Sequence, residues 1–307
     1  MKKIIIIFLV CIILSQFVVV NAKDENYKHG TALLPDNYYT ECPQQGSVQL
    51  LYDGEQYINV YLPVGYQKSN QKYDVFFMLH QAGNGNHSSW IETPVQSYGG
   101  LLPLKQVYDW LIYEKKIPPI IVACINLELG VDNRQDIRHA MHWIGDNLKT
   151  YANDGSDESL TEARYHFYTG GLSMGAWKGT KCMREDYDIF GNYIFGYGGD
   201  VNYLIDDLSK EYAKTHNNKI LNNVVIGCGN KDKSFNSNKE NYRLLSKYSN
   251  KCRFYEFQGG HGFAVAIPFM YDALLFIYKD YKVEIFNQYN EMITNIIKSI
   301  EEILHEY

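Results

Sequence analysis

Short apolar runs alternate with amphipathic stretches along most of this 307-residue chain, and this alternation narrows the possible folds more than any other feature. The later apolar runs are nearly continuous, which is typical of parallel strands covered on both faces. The first two runs flank Asp53-Gly54, a turn pair, and predict an antiparallel hairpin. The pattern therefore predicts an α/β fold with a mainly parallel central sheet and helices on both faces. The predicted strands are Val48–Tyr52, Tyr57–Leu62, Tyr73–Leu79, Pro119–Asn126, His166–Thr169, Tyr193–Tyr197, Asn223–Cys228 and Arg253–Phe257.

Apolar residues at helical spacing fill the segments between these strands. No repeat or linker-like stretch divides the chain, so residues 23–280 are predicted to form a single domain. A last helix is predicted over Val283–Leu304, and we expect residues 281–307 to pack on the domain or to extend from it towards a partner chain. The other predicted helices are Leu104–Glu114, Asn133–Tyr151, Tyr203–Thr215, Lys239–Tyr248 and Ile267–Tyr278.

The amino terminus has the pattern of a secretory signal peptide. Two lysines precede the unbroken apolar run Ile4–Leu14, and the small-residue pattern of Val20–Ala22 provides a cleavage site. A membrane anchor is the alternative, but Ser15 and Gln16 interrupt a run that would need about 20 apolar residues. Residues 1–22 therefore predict a signal peptide and an extracellular protein.

The charge of the chain argues against two classes of partner. Its formal net charge of −6 provides no basic face for nucleic acid and no attraction to an anionic membrane surface.

Tyrosine is abundant, with 27 residues. Its flat ring and polar tip suit sugar or phenolic ligands, although biased composition explains the number equally well.

Five cysteines follow the predicted signal peptide, and in a secreted chain we expect some of them to pair. Their odd number leaves at least one free, and we expect Cys124 to be unpaired because it lies inside an apolar run. Their spacing matches no zinc-binding pattern. The five cysteines are Cys42, Cys124, Cys182, Cys228 and Cys252.

Asn86-His87-Ser88 matches the acceptor pattern for N-glycosylation.

The strongest functional motif is Gly171–Gly175, with the sequence G-L-S-M-G, directly after a strand-like run and before a helix-like stretch. That context is the one a nucleophile elbow requires. The strand-to-helix turn is so tight that glycine is needed two residues before and two after the serine. We therefore predict Ser173 as the nucleophile and the Met174 N–H as a donor to an oxyanion.

A serine hydroxyl needs a base, and in this topology the histidine comes after the acid in the chain. His261 lies between glycines directly after the last predicted strand and is the predicted base. Asp232 follows the strand that ends at Cys228 and is the predicted acid, which orients the imidazole. Asp200 is the alternative acid.

The second oxyanion donor is expected in the loop after the third strand. Small residues there allow the backbone to approach a substrate oxygen closely. The Ala82 N–H is the predicted donor, with Gln81 as the alternative, and His80 is expected to order the loop by hydrogen bonds.

Together with Leu79–Gly83, Trp90 and Gly260–Phe263, this triad resembles the esterase D-like branch of the α/β-hydrolases, and within it carbohydrate esterase family 1. The resemblance covers roughly Gly46 to Tyr278. This sequence has Gln81 at a position where the family usually has glycine. The resemblance implies an α/β-hydrolase fold and a serine esterase that needs no metal or organic cofactor, and the predicted signal peptide makes it a secreted one. It also implies feruloylated or acetylated xylan and small aromatic esters as substrates.

Aromatic residues near the expected site favour a hydroxycinnamoyl (feruloyl) group over acetate. The predicted substrate-binding residues are Gln81, Trp90, Tyr197, Phe235 and Phe263. An acetylxylan or other short-acyl esterase is the main alternative. An acyltransferase and a non-catalytic carbohydrate-binding protein are further ones. The sequence leaves the oligomeric state open.

Overall fold

The computed structural model describes residues 26–97, 100–152, 163–198, 201–214 and 220–281. The predicted signal peptide and the predicted C-terminal helix lie outside these ranges. The strands in chain order are β1 (Tyr27–His29), β2 (Ser47–Tyr52), β3 (Tyr57–Leu62), β4 (Asp74–Leu79), β5 (Val95–Ser97), β6 (Gly100–Leu102), β7 (Ile120–Ile125), β8 (Phe167–Leu172), β9 (Asn192–Gly196), β10 (Leu221–Gly229) and β11 (Ser249–Phe257). The α-helices are α1 (Leu104–Tyr113), α2 (Arg134–Asn147), α3 (Met174–Glu185), α4 (Ile205–Lys214), α5 (Phe235–Leu245) and α6 (Ala266–Ile277).

Nine strands form one mixed sheet in the order β1-β11-β10-β9-β8-β4-β7-β3-β2. Only the β2–β3 and β3–β7 pairs are antiparallel among these described strands. Strands β7 and β8 are buried at every position, as expected where both faces of a sheet are covered. The remaining two strands, β5 and β6, form a separate hairpin. The predicted mainly parallel sheet is confirmed.

Parallel pairing decides where functional side chains meet. Strands β4, β8, β9, β10 and β11 run in the same direction, so their carboxyl ends lie along one edge of the sheet. In open α/β sheets, ligands bind in the crevice outside this edge. The loops after β4, β8, β10 and β11 carry the predicted oxyanion donor, nucleophile, acid and base, respectively.

All eight predicted strands are present, with bounds shifted by a few residues. Strand β1 was not predicted because it has only three residues. It pairs with β11, where Tyr27 is opposite Phe254, and β11 lies near the other end of the described sequence. Helix α5 begins at Phe235, four residues before the predicted start at Lys239, and this moves Phe235 out of the expected loop. None of the helices in the described ranges combines the length and the apolarity that crossing a bilayer requires.

The expectation that some cysteines pair was wrong, because the five cysteines in the described residues are buried and form no disulfide. Cys228 and Cys252 lie on adjacent strands, yet Cys252 is opposite Val224, four residues from Cys228. Four residues of strand separate the two sites by about 13 Å. A disulfide requires Cα atoms within about 7 Å. Cys124 is free, as predicted.

Candidate active site

Ser173 forms the whole turn between β8 and α3. Its φ of 54° and ψ of −113° place a non-glycine residue in a strained backbone conformation, as a nucleophile elbow requires. The Ser173 N–H donates to the Gly196 carbonyl oxygen at 2.8 Å and fixes the turn to β9. A Cβ atom on Gly171 or on Gly175 would lie 2.0 Å from the Leu79 carbonyl oxygen. Both glycines are therefore needed for the elbow to pack against the end of β4.

The structure brings the predicted nucleophile, base and acid into one hydrogen-bonded chain. The His261 Nε2 atom lies 3.1 Å from the Ser173 Oγ atom, and the His261 Nδ1 atom lies 2.7 Å from the Asp232 Oδ2 atom. The Asp232 side chain is completely buried, whereas 45% of the His261 side chain is exposed. Nδ1–H donates to the carboxylate, so the Nε2 lone pair is available to accept the Ser173 hydroxyl proton.

Asp232 is held as a carboxylate. Burial opposes its ionisation, but hydrogen bonds from Ser234 and His261 outweigh burial and keep the Asp232 pKa below its usual value. The Ser234 N–H and hydroxyl both donate to Oδ1, at 2.7 and 2.6 Å. Ser234 was not predicted from the sequence, because a serine two residues after an aspartate is common in turns. Asp200, the alternative acid, lies outside the described residues.

The loop after β4 is ordered by His80, which is buried. Its Nε2 atom accepts from the Leu127 N–H at 2.8 Å, so the ring proton is on Nδ1, which donates to the Gln81 carbonyl oxygen at 2.7 Å. Burial lowers the His80 pKa and favours this neutral form. The C=O and N–H of a trans peptide point in opposite directions. The Ala82 N–H therefore points away from His80, and Ala82 lines the cavity beside Ser173.

The Met174 N–H is the other predicted oxyanion donor. Met174 is the first residue of α3, and the N–H groups of a first helical turn have no acceptor within the helix. The partial positive charge of the helix amino terminus also favours a negative oxygen there. The Met174 N–H, next to Ser173 in the chain, is thus suited to donate to an oxyanion formed at Ser173.

A cavity of about 150 Å³ opens beside Ser173 and His261. The Tyr197 ring contacts the His261 imidazole, with ring centroids 5.1 Å apart. Tyr197 and Gln81 therefore lie where they were predicted, next to the reacting groups. Leu172 and Gly262 also belong to the cavity wall and were not predicted from the sequence. The lining residues are Gln81, Ala82, Leu172, Ser173, Tyr197, His261 and Gly262.

Two of the predicted substrate-binding aromatic residues do not line this cavity. Trp90 is 2% exposed and donates its indole N–H to the Leu79 carbonyl oxygen at 2.9 Å, so it supports the end of β4 from within the core. Phe235 belongs to α5, and its ring packs against Phe254 with centroids 5.9 Å apart. The direct contacts predicted for these two side chains were wrong. The Phe263 side chain lies outside the described part of the structure.

A larger cavity of about 470 Å³ lies between the end of α3 and α4. Its wall includes Met183 and the ion pair between Arg184 and Asp207. Met183 is nine residues beyond the first residue of α3, which corresponds to about 13 Å along a helix. This cavity is therefore separate from the Ser173 site. In the described residues, no three histidine, cysteine, aspartate or glutamate side chains are grouped so that they could hold a metal ion.

The sheet order, the elbow and the hydrogen-bonded Ser173, His261 and Asp232 side chains define the class of protein. The chain has an α/β-hydrolase fold with a serine–histidine–aspartate triad at the carboxyl edge of its sheet.

No family model and no curated protein matches the sequence. Among solved structures, the fold is similar to a feruloyl esterase module from Clostridium thermocellum complexed with sinapinate. The TM-score is 0.69 at 21% identity, over 83% of this chain and 96% of that one. A CE1 ferulic acid esterase from the anaerobic fungus Anaeromyces mucronatus gives a TM-score of 0.57 at 16% identity, over 81% and 97% of the two chains. These likenesses confirm the fold predicted from the resemblance to carbohydrate esterase family 1.

Proposed function

We propose that this protein is a secreted serine carboxylic-ester hydrolase that removes hydroxycinnamoyl groups, such as feruloyl, from plant cell-wall xylan. The observation that carries the proposal is the 3.1 Å contact between Ser173 Oγ and His261 Nε2, with Nδ1 of the same ring bound to Asp232. A neutral imidazole in this position converts a weakly nucleophilic hydroxyl into one that attacks an ester carbonyl.

In the acylation step, His261 Nε2 takes the hydroxyl proton as Ser173 Oγ bonds to the carbonyl carbon. The carbonyl oxygen becomes an oxyanion, which accepts hydrogen bonds from the Ala82 and Met174 N–H groups. Asp232 stabilises the imidazolium. When the tetrahedral intermediate collapses, the His261 Nε2–H proton passes to the departing alkoxy oxygen, and the acyl group remains on Ser173.

In the deacylation step, water replaces the alcohol. His261 Nε2 takes one water proton while the water oxygen attacks the acyl carbonyl carbon, and the same two amides hold the second oxyanion. Collapse returns the proton to Ser173 Oγ and releases the carboxylic acid. Because 45% of the His261 side chain is exposed, water reaches it directly. Direct access of water favours hydrolysis over acyl transfer.

The lining of the cavity supports an aromatic acyl group. Leu172 and Ala82 give apolar surface, and the Tyr197 ring offers a face for stacking beside His261. The similar fold of a feruloyl esterase module complexed with sinapinate is a second support. The predicted signal peptide agrees with a polymeric substrate, which remains outside the cell.

A short-acyl esterase is the second candidate, and the size of the cavity favours it. A volume of about 150 Å³ is small for a site that encloses a whole aromatic ligand. Pockets that enclose drug-sized ligands typically measure about 300–1,000 Å³. A feruloyl group would have to extend from the cavity into solvent, whereas an acetyl group would fit inside.

Side-by-side kinetics distinguish the two candidates. Initial rates of residues 23–307 would be measured on methyl ferulate, methyl sinapate, a chromogenic acetate and acetylated xylan. We expect the highest kcat/KM on the hydroxycinnamoyl esters, whereas a preference for the acetates would identify a short-acyl esterase. Ser173→Ala should abolish hydrolysis while leaving the circular dichroism spectrum unchanged. Undiminished turnover by this variant would reject the proposed function.

A further inference from the structure

We propose that Ser234 is a positioning residue of the triad, which holds Asp232 so that its second carboxylate oxygen faces His261. This inference rests on the proposed function, because the role concerns the same reaction. Neither the sequence pattern nor the comparisons with solved structures identified this residue.

The two carboxylate oxygens of Asp232 have different partners. Oδ1 accepts both the Ser234 N–H at 2.7 Å and the Ser234 hydroxyl at 2.6 Å. Oδ2 lies 2.7 Å from His261 Nδ1. Two donors from one residue fix the rotation of the carboxylate, since turning it would break both bonds. The carboxylate is completely buried, so water does not replace a lost donor without rearrangement.

Helix capping does not explain the direction in which the Ser234 hydroxyl points. Ser234 occupies the N-cap position of α5, where a serine oxygen usually accepts an N–H from the first helical turn. Ser234 makes no side-chain capping hydrogen bond. Its backbone carbonyl oxygen accepts from the Ser237 hydroxyl at 2.9 Å and from the Asn238 side chain at 2.8 Å. The hydroxyl is thus turned away from the helix and towards Asp232.

A buried thiol also contacts the Ser234 hydroxyl. The Cys228 Sγ atom on β10 lies 3.7 Å from Ser234 Oγ. Since the only hydroxyl hydrogen of Ser234 is donated to Asp232, the thiol must be the donor in its contact with Ser234. Burial raises the pKa of Cys228 to about 12, which keeps the thiol protonated. The neutral Cys228 thiol therefore donates to Ser234 Oγ, which leaves the Ser234 hydroxyl hydrogen for Asp232.

Several other ionisable groups of the described residues lie near Asp232. His261 approaches from the loop after β11, and Lys231 and Lys233 flank the aspartate with exposed side chains. The Tyr197 ring packs against His261 from the end of β9. Loss of the Ser234 hydroxyl would therefore leave more negative charge on the carboxylate facing the imidazole. An imidazolium next to a more basic carboxylate is more stable.

Three variants test the role of the hydroxyl. Ser234→Ala removes it, Ser234→Thr retains it, and Ser246→Ala removes an exposed hydroxyl at the opposite end of the same helix, where it donates to the Arg243 carbonyl oxygen. We expect Ser234→Ala to lower kcat about tenfold with little change in KM, as for one charge-assisted hydrogen bond. The acidic limb of its pH–rate profile should move to higher pH. Ser234→Thr should recover most of kcat, and Ser246→Ala should match the wild type.

The inference would be overturned by a wild-type kcat and pH profile in Ser234→Ala, by the same loss in Ser246→Ala, or by a loss without a shift of the acidic limb. A readout independent of turnover separates this inference from the proposed function. The His261 imidazole is titrated by NMR in the full chain and in the two alanine variants. If the wild type hydrolyses no ester, the proposed function fails, but an upward shift in Ser234→Ala alone still supports the positioning role. An unshifted His261 titration in Ser234→Ala would overturn it.

Discussion

The Nε2 atom of His80 accepts a hydrogen bond of 2.8 Å from the backbone N–H of Leu127, which joins the loop after β4 to the loop after β7. The other ring nitrogen of His80 donates to the carbonyl oxygen of Gln81. One buried imidazole therefore fixes the peptide that carries the proposed oxyanion donor. A histidine beside an active site acts here on the backbone rather than on the substrate.

His80→Ala should lower kcat by about tenfold to a hundredfold, because an oxyanion donor that is no longer held in place loses much of its effect. The measurement is kcat and KM on the best ester substrate. His29→Ala is the matched control, since His29 is exposed on β1, far from the carboxyl edge of β4. A His80→Ala variant with wild-type kcat would contradict the proposed role of this contact.

Asp232→Asn should lower kcat by about a thousandfold or more, because an amide does not stabilise the imidazolium and favours the wrong tautomer. The change in KM should be small. Asp200→Asn is measured beside it, as the alternative acid from the sequence. A larger loss in Asp200→Asn than in Asp232→Asn would exchange the two roles.

His80 should also make the stability of the fold depend on pH. Burial lowers its pKa in the folded state, so the unfolded chain binds a proton first as the pH falls. The contribution of His80 is complete above its ordinary pKa of 6.5 and declines as the pH falls below that value. The free energy of unfolding, measured by urea denaturation at pH 7.5 and at pH 5.5, should fall less in His80→Gln than in the wild type. An equal fall in both proteins would contradict this prediction.

Gln81 should limit the size of the acyl group. Its side chain lines the cavity at a position where the family that the sequence resembles usually has glycine. Gln81→Ala should therefore raise kcat/KM on methyl sinapate relative to the chromogenic acetate by a few fold, because it enlarges the cavity. Gln67→Ala, on the surface, should leave the ratio unchanged. An unchanged ratio in Gln81→Ala would show that another residue sets acyl size.

The sequence predicted the parts of the site that depend on local geometry. The glycines around Ser173 mark a tight turn, and the position of Asp232 and His261 after successive strands follows from parallel topology. The directions of Trp90 and Phe235 were not predictable in this way, since they depend on which core surface lies closest. Trp90 reaches the end of β4, and Phe235 reaches a ring on β11.

Ser234 shows a different limit of sequence reasoning. Its hydroxyl has two possible uses, helix capping and support of Asp232, and the sequence pattern is the same for both. Only the placement of the carboxylate and of the Cys228 thiol distinguishes them.

Intact-mass analysis of the protein after rapid acid quenching of its reaction with methyl ferulate tests the central claim, a covalent acyl-enzyme on Ser173, most directly. The account predicts one feruloyl group per chain, mapped by peptide digestion to the peptide that contains Ser173 and missing in Ser173→Ala. An adduct on another residue, or steady ester hydrolysis by Ser173→Ala, would contradict it.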